Sequence, residues 1–200
     1  DRVGSAAHVH ISLKAADGAM AFHDADAPLG MSELARHFLG GLLKYAGDVT
    51  YFFAPNVNSY KRFQKGSFAP TRKVWSVDNR TAAFRVCGDT SPAVRIECRV
   101  PGSDVNPYLA IAALLAAGIR GIEEKLDPGQ PSDGDAYGGT SDEIPTSLPA
   151  AAAAMSASDM LKDAFGEAVI RHYARAAEWE QECFDAVVTD WEIARGFERA

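Results

Sequence analysis

Nine basic residues (Lys61, Arg62, Lys65, Arg72, Lys73, Arg80, Arg85, Arg95 and Arg99) stand against three acidic ones (Asp78, Asp89 and Glu97) between Asn58 and Arg99. The whole chain carries a formal charge of −7, so its remainder holds 11 basic and 24 acidic residues. Arginine at that density, interleaved with Phe, Trp, Ile and Val, predicts a site for several phosphates or carboxylates. Planar guanidinium forks bind such oxyanions in pairs. An arginine-rich strand face could instead meet RNA, but the acidic remainder and the lack of a basic tail argue against nucleic acid.

Spacing sharpens the reading. Arg95-Ile96-Glu97-Cys98-Arg99 alternates, so a strand there sets Arg95, Glu97 and Arg99 on one face and Ile96, Cys98 and Val100 on the other. Thr81 to Cys87 alternates too, with Ala82, Phe84 and Val86 opposite Arg85. Gly88-Asp89-Thr90-Ser91-Pro92 between them is turn chemistry and predicts a hairpin. On periodicity alone, a carboxylate between two arginines is either a structural ion pair or a metal ligand beside anion clamps. A second short strand pattern places His8, His10 and Ser12 on one face, with Val9, Ile11 and Leu13 on the other. Two imidazoles at that spacing can reach one metal, or a metal and its nucleotide, although the same pattern also arises from surface or packed histidines.

Helices must carry these strands. Ser32 is read as the cap of a helix of about 15 residues ending near Gly47, with Leu34, Phe38, Leu42 and Leu43 on one side. Asn106-Pro107 opens another, running to about Lys125 on a small-residue face of Leu109, Ala112, Ala113, Ala116 and Ile119. Asp127 to Thr146, rich in Gly, Pro and acids, is read as the main loop, solvent-facing and mobile. From Ser147 the pattern is helical, with a long helix over Glu167 to Val187 and a capping box at Thr189-Asp190-Trp191-Glu192. His172 is read as structural, and Trp179, Phe184 and Trp191 as core or subunit contact.

Two hundred residues, 47% of them hydrophobic, suffice for one domain with a real core. The chain begins at Asp1 and is expected to be a portion of a longer protein. No run approaches the ~20 uncharged apolar residues of a membrane span, and nothing resembles a signal peptide. Cys87, Cys98 and Cys183 are odd in number and lack CxxC spacing, so neither a disulfide framework nor a zinc site is implied. Cys87 and Cys98 could face each other across the hairpin, against the plainer reading of two small buried thiols. The expected setting is cytoplasmic.

The ordered segments GSAAHVHISL, NSYKRF, APTRKVWSVDNRTAAFRV, RIECRVPGSDVNPYL and AALLAAGIRGIEEKL resemble the carboxy-terminal part of the glutamine synthetase catalytic domain. The resemblance covers nearly the whole chain but only about the second half of a family member. The amino-terminal β-grasp domain, the Glu-x-Glu strand and a further glutamate pair are not in these residues. It implies an α+β fold: an antiparallel sheet carrying the active-site face, packed with helices, and a helical C-terminal part. Residues 1–200 then form the C-terminal portion of one catalytic domain.

The resemblance also implies roles. His8 is similar to a ligand of the metal bridging the nucleotide phosphates, and Glu97 to a ligand of the same metal, Mg²⁺ or Mn²⁺. His10, Ser12, Arg85 and Arg95 resemble nucleotide contacts. Arg62 looks like the residue that binds the α-carboxylate of glutamate. Arg80 and Arg85 look like the clamps on the transferring phosphoryl group and the nucleotide, and Arg99 resembles a contact to the glutamate side chain. The implied reaction is ATP-dependent ligation of ammonia or an amine to the γ-carboxylate of glutamate, through γ-glutamyl phosphate. Homo-oligomeric rings with active sites at subunit boundaries are implied for the complete protein.

One position departs from the family. Members usually carry Gly-Tyr-Glu-Ala-Pro where this chain reads Gly66-Ser67-Phe68-Ala69-Pro70, so Phe68 replaces a glutamate that closes the site and takes a proton from the ammonium-derived nitrogen. An apolar ring removes an anion that would attract ammonium and offers a surface for an alkyl amine. The amine is therefore read as either ammonia or a larger organic amine giving a γ-glutamylamide. A relative that binds nucleotide without turnover is the third reading.

Overall fold

A computed structural model describes residues 4–88, 90–197 and 199; Asp89, within the predicted turn, lies outside them. Four short strands form one sheet: β1 (Val9–Ile11), β2 (Trp75–Val77), β3 (Phe84–Cys87) and β4 (Arg95–Cys98), in the order β1-β4-β3-β2. β4 pairs antiparallel with β1 on one side and with β3 on the other, so the predicted hairpin is present. The outer pair β2–β3 runs parallel, which alternation along each strand does not disclose. Register places His10 and Arg85 on either side of Glu97, and Cys87 opposite Arg95. Cys98 instead pairs with Phe84, so the two thiols do not face each other; both are buried and free.

The apolar sheet face (Phe84, Val86, Ile96 and Cys98) belongs to the core. Helix α1 (Glu33–Lys44) starts where Ser32 Oγ accepts the Ala35 amide, as predicted, but stops at Tyr45, and a separate helix α2 (Ala46–Phe53) follows. Helix α3 (Pro107–Glu123) is capped by the Asn106 side chain. Its buried face is Ala110, Ala113, Leu114, Ala117, Gly118 and Gly121, a step round from the predicted one, while Ile119 is exposed. The rotation follows from the crossing with α1, where Gly41 and Gly121 meet backbone to backbone. A Cβ on Gly41 would stand 2.1 Å from the Ala117 carbonyl oxygen.

The tail folds into α4 (Leu148–Ala157), α5 (Asp159–Phe165), α6 (Glu167–Asp185) and α7 (Asp190–Phe197). Edge-on and tilted rings join Phe52 on α2 to Phe165 on α5 and Tyr173 on α6, both at 5.6 Å between centroids. The Thr189–Glu192 capping box is formed, with the Thr189 amide donating to the Glu192 carboxylate at 2.8 Å. Trp179, Phe184 and Trp191 are exposed, which removes them from the core. The Asp127–Thr146 segment is irregular yet not a free loop: Ala136, Tyr137 and Ile144 are buried. It is laced to the edge strand and its approaches, with Ser132 N–H donating to the Trp75 carbonyl (2.8 Å), Asn79 Nδ2 to the Gly134 carbonyl (2.7 Å) and Ile144 N–H to the Thr71 carbonyl (3.0 Å). Backbone groups on an edge strand need partners, and this segment supplies them.

Candidate functional site

Glu97 is the hub. Its position in β4, between β1 and β3, leaves it 2% exposed, and a carboxylate so placed has to be paired. Oε1 accepts Arg99 Nη1 at 3.0 Å and lies 3.1 Å from His8 Nδ1 and 3.5 Å from His10 Nε2. Oε2 accepts Arg85 Nη1 at 3.1 Å. Burial, the largest influence, pushes the carboxyl up, but the Arg99 and Arg85 guanidiniums outweigh it and hold Glu97 below the ordinary carboxylate range. Burial first, then the Arg99 guanidinium, lowers His8, so its imidazole is neutral and able to donate a lone pair at neutral pH. Arg95 Nε donates to His10 Nδ1 at 3.3 Å, which leaves the His10 proton on Nε2, towards Glu97.

Two cavities flank the hub. One of about 440 Å³ is lined by His8, Arg62, Ser67, Phe68 and Arg99 among others. Arg62 closes the 3-10 turn Val57–Arg62, which Asn56 and Ser59 fix by a reciprocal capping pair. Its Nη2 donates to the Val100 carbonyl; burial pulls its pKa below the ordinary arginine value, but an arginine still keeps its charge. The other cavity, of about 630 Å³, lies at the β2–β3 edge and is lined by Asp78, Asn79, Arg80 and Arg85 with Ser132 to Gly134. Arg80 is held there from behind, its carbonyl accepting Arg99 Nε at 3.0 Å.

Six of the nine candidates (His8, His10, Arg85, Arg95, Glu97 and Arg99) therefore form one connected polar face. Arg62 and Arg80 open onto the cavities at its two ends, and Ser12 sits exposed just beyond the end of β1. One further participant was not singled out from sequence. Asp78, at φ 49°, accepts both Arg85 Nε and Nη2, so Arg85 bridges two carboxylates. Asp78 owes its role to the parallel β2–β3 pairing, which leaves no periodic signal. Among the described residues, no three His, Cys, Asp or Glu side chains gather into a metal centre; the donors that converge are those around Glu97 Oε1. A groove of about 490 Å³ between α4 and α6 has an alanine floor and a rim including Glu178, Glu182 and Asp185, the wrong charge for an anion.

A family model described as the glutamine synthetase catalytic domain matches residues 1–196. The gamma-glutamylethanolamide synthetase GlnA4 of Streptomyces coelicolor is 48% identical over 196 residues, covering 98% of this chain and 42% of that protein. The glutamine synthetase of Thermotoga maritima is 40% identical over 200 residues, covering 96% and 45%. A solved structure titled as a GmaS/ADP complex superposes with a TM-score of 0.88 at 34% identity, covering 98% of this chain and 46% of the other. The chain thus spans less than half the length of the relatives it matches. With its catalytic-domain pattern matched almost end to end, the chain belongs to the glutamine synthetase family.

Proposed function

We infer that the complete protein is an ATP-dependent carboxylate–amine ligase that joins an amine to the γ-carboxylate of glutamate. The observation that carries this reading is the Glu97 hub: one buried carboxylate held by two arginines and faced by two imidazoles, with an arginine-lined cavity on either side. A carboxylate becomes an amide at neutral pH only after its oxygen is made a leaving group. Attack of the γ-carboxylate on the terminal phosphate of ATP gives γ-glutamyl phosphate and ADP; the amine then displaces phosphate. Both partners of the first step are anions, so positive charge has to stand where they meet.

The residues divide accordingly. Arg62 holds the α-carboxylate of glutamate in the smaller cavity, and Arg99, lining the same cavity, meets its side chain. Arg80 clamps the transferring phosphoryl group in the larger cavity. Arg85, Arg95, His10 and Ser12 hold the nucleotide along the face between. His8 and Glu97 suit one edge of a Mg²⁺ or Mn²⁺ site, a nitrogen and an oxygen donor 3.1 Å apart. That ion neutralises phosphate charge when bound. The remaining ligands are expected from the part of the protein outside these 200 residues, and residues 1–200 alone are accordingly expected not to turn over.

The amine is proposed to be organic. Phe68 puts an exposed ring, not a carboxylate, at the mouth of the Arg62 cavity, and a relative named for ethanolamide synthesis shares 48% identity. The glutamine synthetase relative favours ammonia as the second reading. Among the described residues no helix is long and apolar enough to cross a membrane. A cytoplasmic homo-oligomeric ring is proposed for the complete protein. The reading is tested by phosphate release from ATP by the complete protein with glutamate, Mg²⁺ or Mn²⁺, and ammonia, alkyl amines, ethanolamine or polyamines. Release that depends on glutamate and an amine supports it; binding of ATP with no release under any of these conditions contradicts it.

A further inference from the structure

Arg85 stands between two carboxylates in a cavity otherwise suited to anions. Glu97 Oε2 accepts its Nη1 at 3.1 Å from within the sheet. Asp78 takes another edge of the guanidinium: its Oδ1 accepts Nε at 3.0 Å and Nη2 as well. Asp78 itself lines the cavity of about 630 Å³, beside Asn79, Arg80 and Arg85. A carboxylate in the wall of a phosphate site repels its ligand, so its place there calls for a reason.

The turn that carries Asp78 is built to hold it. β2 ends at Val77, the Asp78 amide donates to the Val86 carbonyl at 3.0 Å, and the backbone turns left-handed at φ 49°. Aspartate and asparagine adopt that conformation more readily than most residues. Asn79 Oδ1 accepts both the Thr81 amide (2.9 Å) and the Thr81 hydroxyl (2.8 Å). Asn79 Nδ2 ties the turn to the Gly134 carbonyl at 2.7 Å. The Asp78 side chain is 71% exposed, so its contact with Arg85 is no by-product of core packing.

A guanidinium carries five N–H donors in a rigid plane. The two carboxylates use three of them, on Nε, Nη1 and Nη2, which leaves one on each terminal nitrogen. A long side chain fixed before its ligand arrives gives up no rotamer freedom on binding. We propose that Asp78 is the positioning residue of Arg85: it grips the Nε edge so that the guanidinium presents its two remaining N–H groups to the phosphates of the nucleotide. This rests on the ligase reading, in which Arg85 meets nucleotide. Asp78 touches no phosphate; it acts through Arg85, and the fixed guanidinium offsets the repulsion of its carboxylate.

The test uses the complete protein with Asp78→Gly and Asp78→Asn, both of which tolerate the left-handed backbone. Asparagine keeps an oxygen in the place of Oδ1, the atom that accepts both Arg85 donors, and glycine keeps nothing. The Kd for ADP with Mg²⁺, read by calorimetry, should rise about tenfold in Asp78→Gly and stay within about threefold of wild type in Asp78→Asn. The KM for ATP should follow the same split, while the KM for glutamate stays within about twofold. ADP bound as tightly by Asp78→Gly as by the wild type overturns the proposal. So does tighter binding by both variants, which would make Asp78 a plain repelling charge. An equal loss in both also overturns it, because charge and not placement would be the cause. A glutamate KM that rises as far as the ADP Kd overturns it by making Asp78 merely structural. A wild type that binds ADP yet releases no phosphate with any amine removes the ligase reading alone, since the ADP comparison still decides what Asp78 does.

Discussion

The carboxylate of Glu97 in β4 lies 3.1 Å from the Nδ1 of His8, the residue that leads into β1, although the two stand 89 positions apart in sequence. That contact exists because β1 returns antiparallel beside β4 with His10 opposite Glu97. The Arg85 ion pair reaches the same carboxylate from β3, on the other side. Three strands thereby focus their charge on one buried group.

Glu97→Gln tests that focus. The amide keeps the shape but leaves Arg99, itself 5% exposed, without its counter-ion. Breaking a buried pair from one side costs about 3 kcal/mol, so the variant should unfold at lower denaturant. Its glutamate-dependent phosphate release should fall by a factor on the order of a hundred or more, as loss of a metal-site group does. Chemical denaturation and phosphate release on the complete protein check the two halves of this prediction.

Gly41→Ala tests the scaffold without touching the site. The added methyl would stand 2.1 Å from the Ala117 carbonyl and against Gly121. The helices would have to move apart, at a cost of about 2 kcal/mol after allowing for the better helix propensity of alanine. A drop of several degrees in Tm is expected. The KM for ATP in whatever protein remains folded should be unaltered.

Much of this arrangement was legible in the chain. Alternation in Arg95–Arg99 and Thr81–Cys87 gave the hairpin and its polar face, and the caps Ser32, Asn106 and Thr189 were readable because capping is a local interaction. Relations set by other elements were not. The phase of α3 is fixed by the close approach of Gly41 to Gly121, and the parallel β2–β3 pairing by a crossover. Asp127–Thr146 looked free because its polar residues are those of a loop; its hydrogen bonds to Thr71, Trp75 and Asn79 are long-range.

Asp48 supplies a pH-dependent prediction away from the chemistry. Burial in the first turn of α2 is the largest influence on its carboxyl and raises it above the ordinary value, against the pull of the Ser158 hydroxyl and Lys73. A carboxyl raised on folding favours the native state when protonated and costs stability once pH passes through the folded value. Asp48→Asn should therefore raise Tm at neutral pH. The gain should shrink as pH falls through the folded value and vanish below the unfolded one. A gain that is constant with pH would show that charge burial is not its origin.

The most direct measurement offers the complete protein ATP, Mg²⁺, glutamate, and ammonia and ethanolamine together at equal concentration, and identifies the products by mass. The account predicts that γ-glutamylethanolamide dominates in the wild type, and that Phe68→Glu shifts the product ratio towards glutamine by about tenfold, a change of about 1.4 kcal/mol in discrimination. Glutamine as the main product of the wild type, with a ratio that Phe68→Glu does not move, would contradict it.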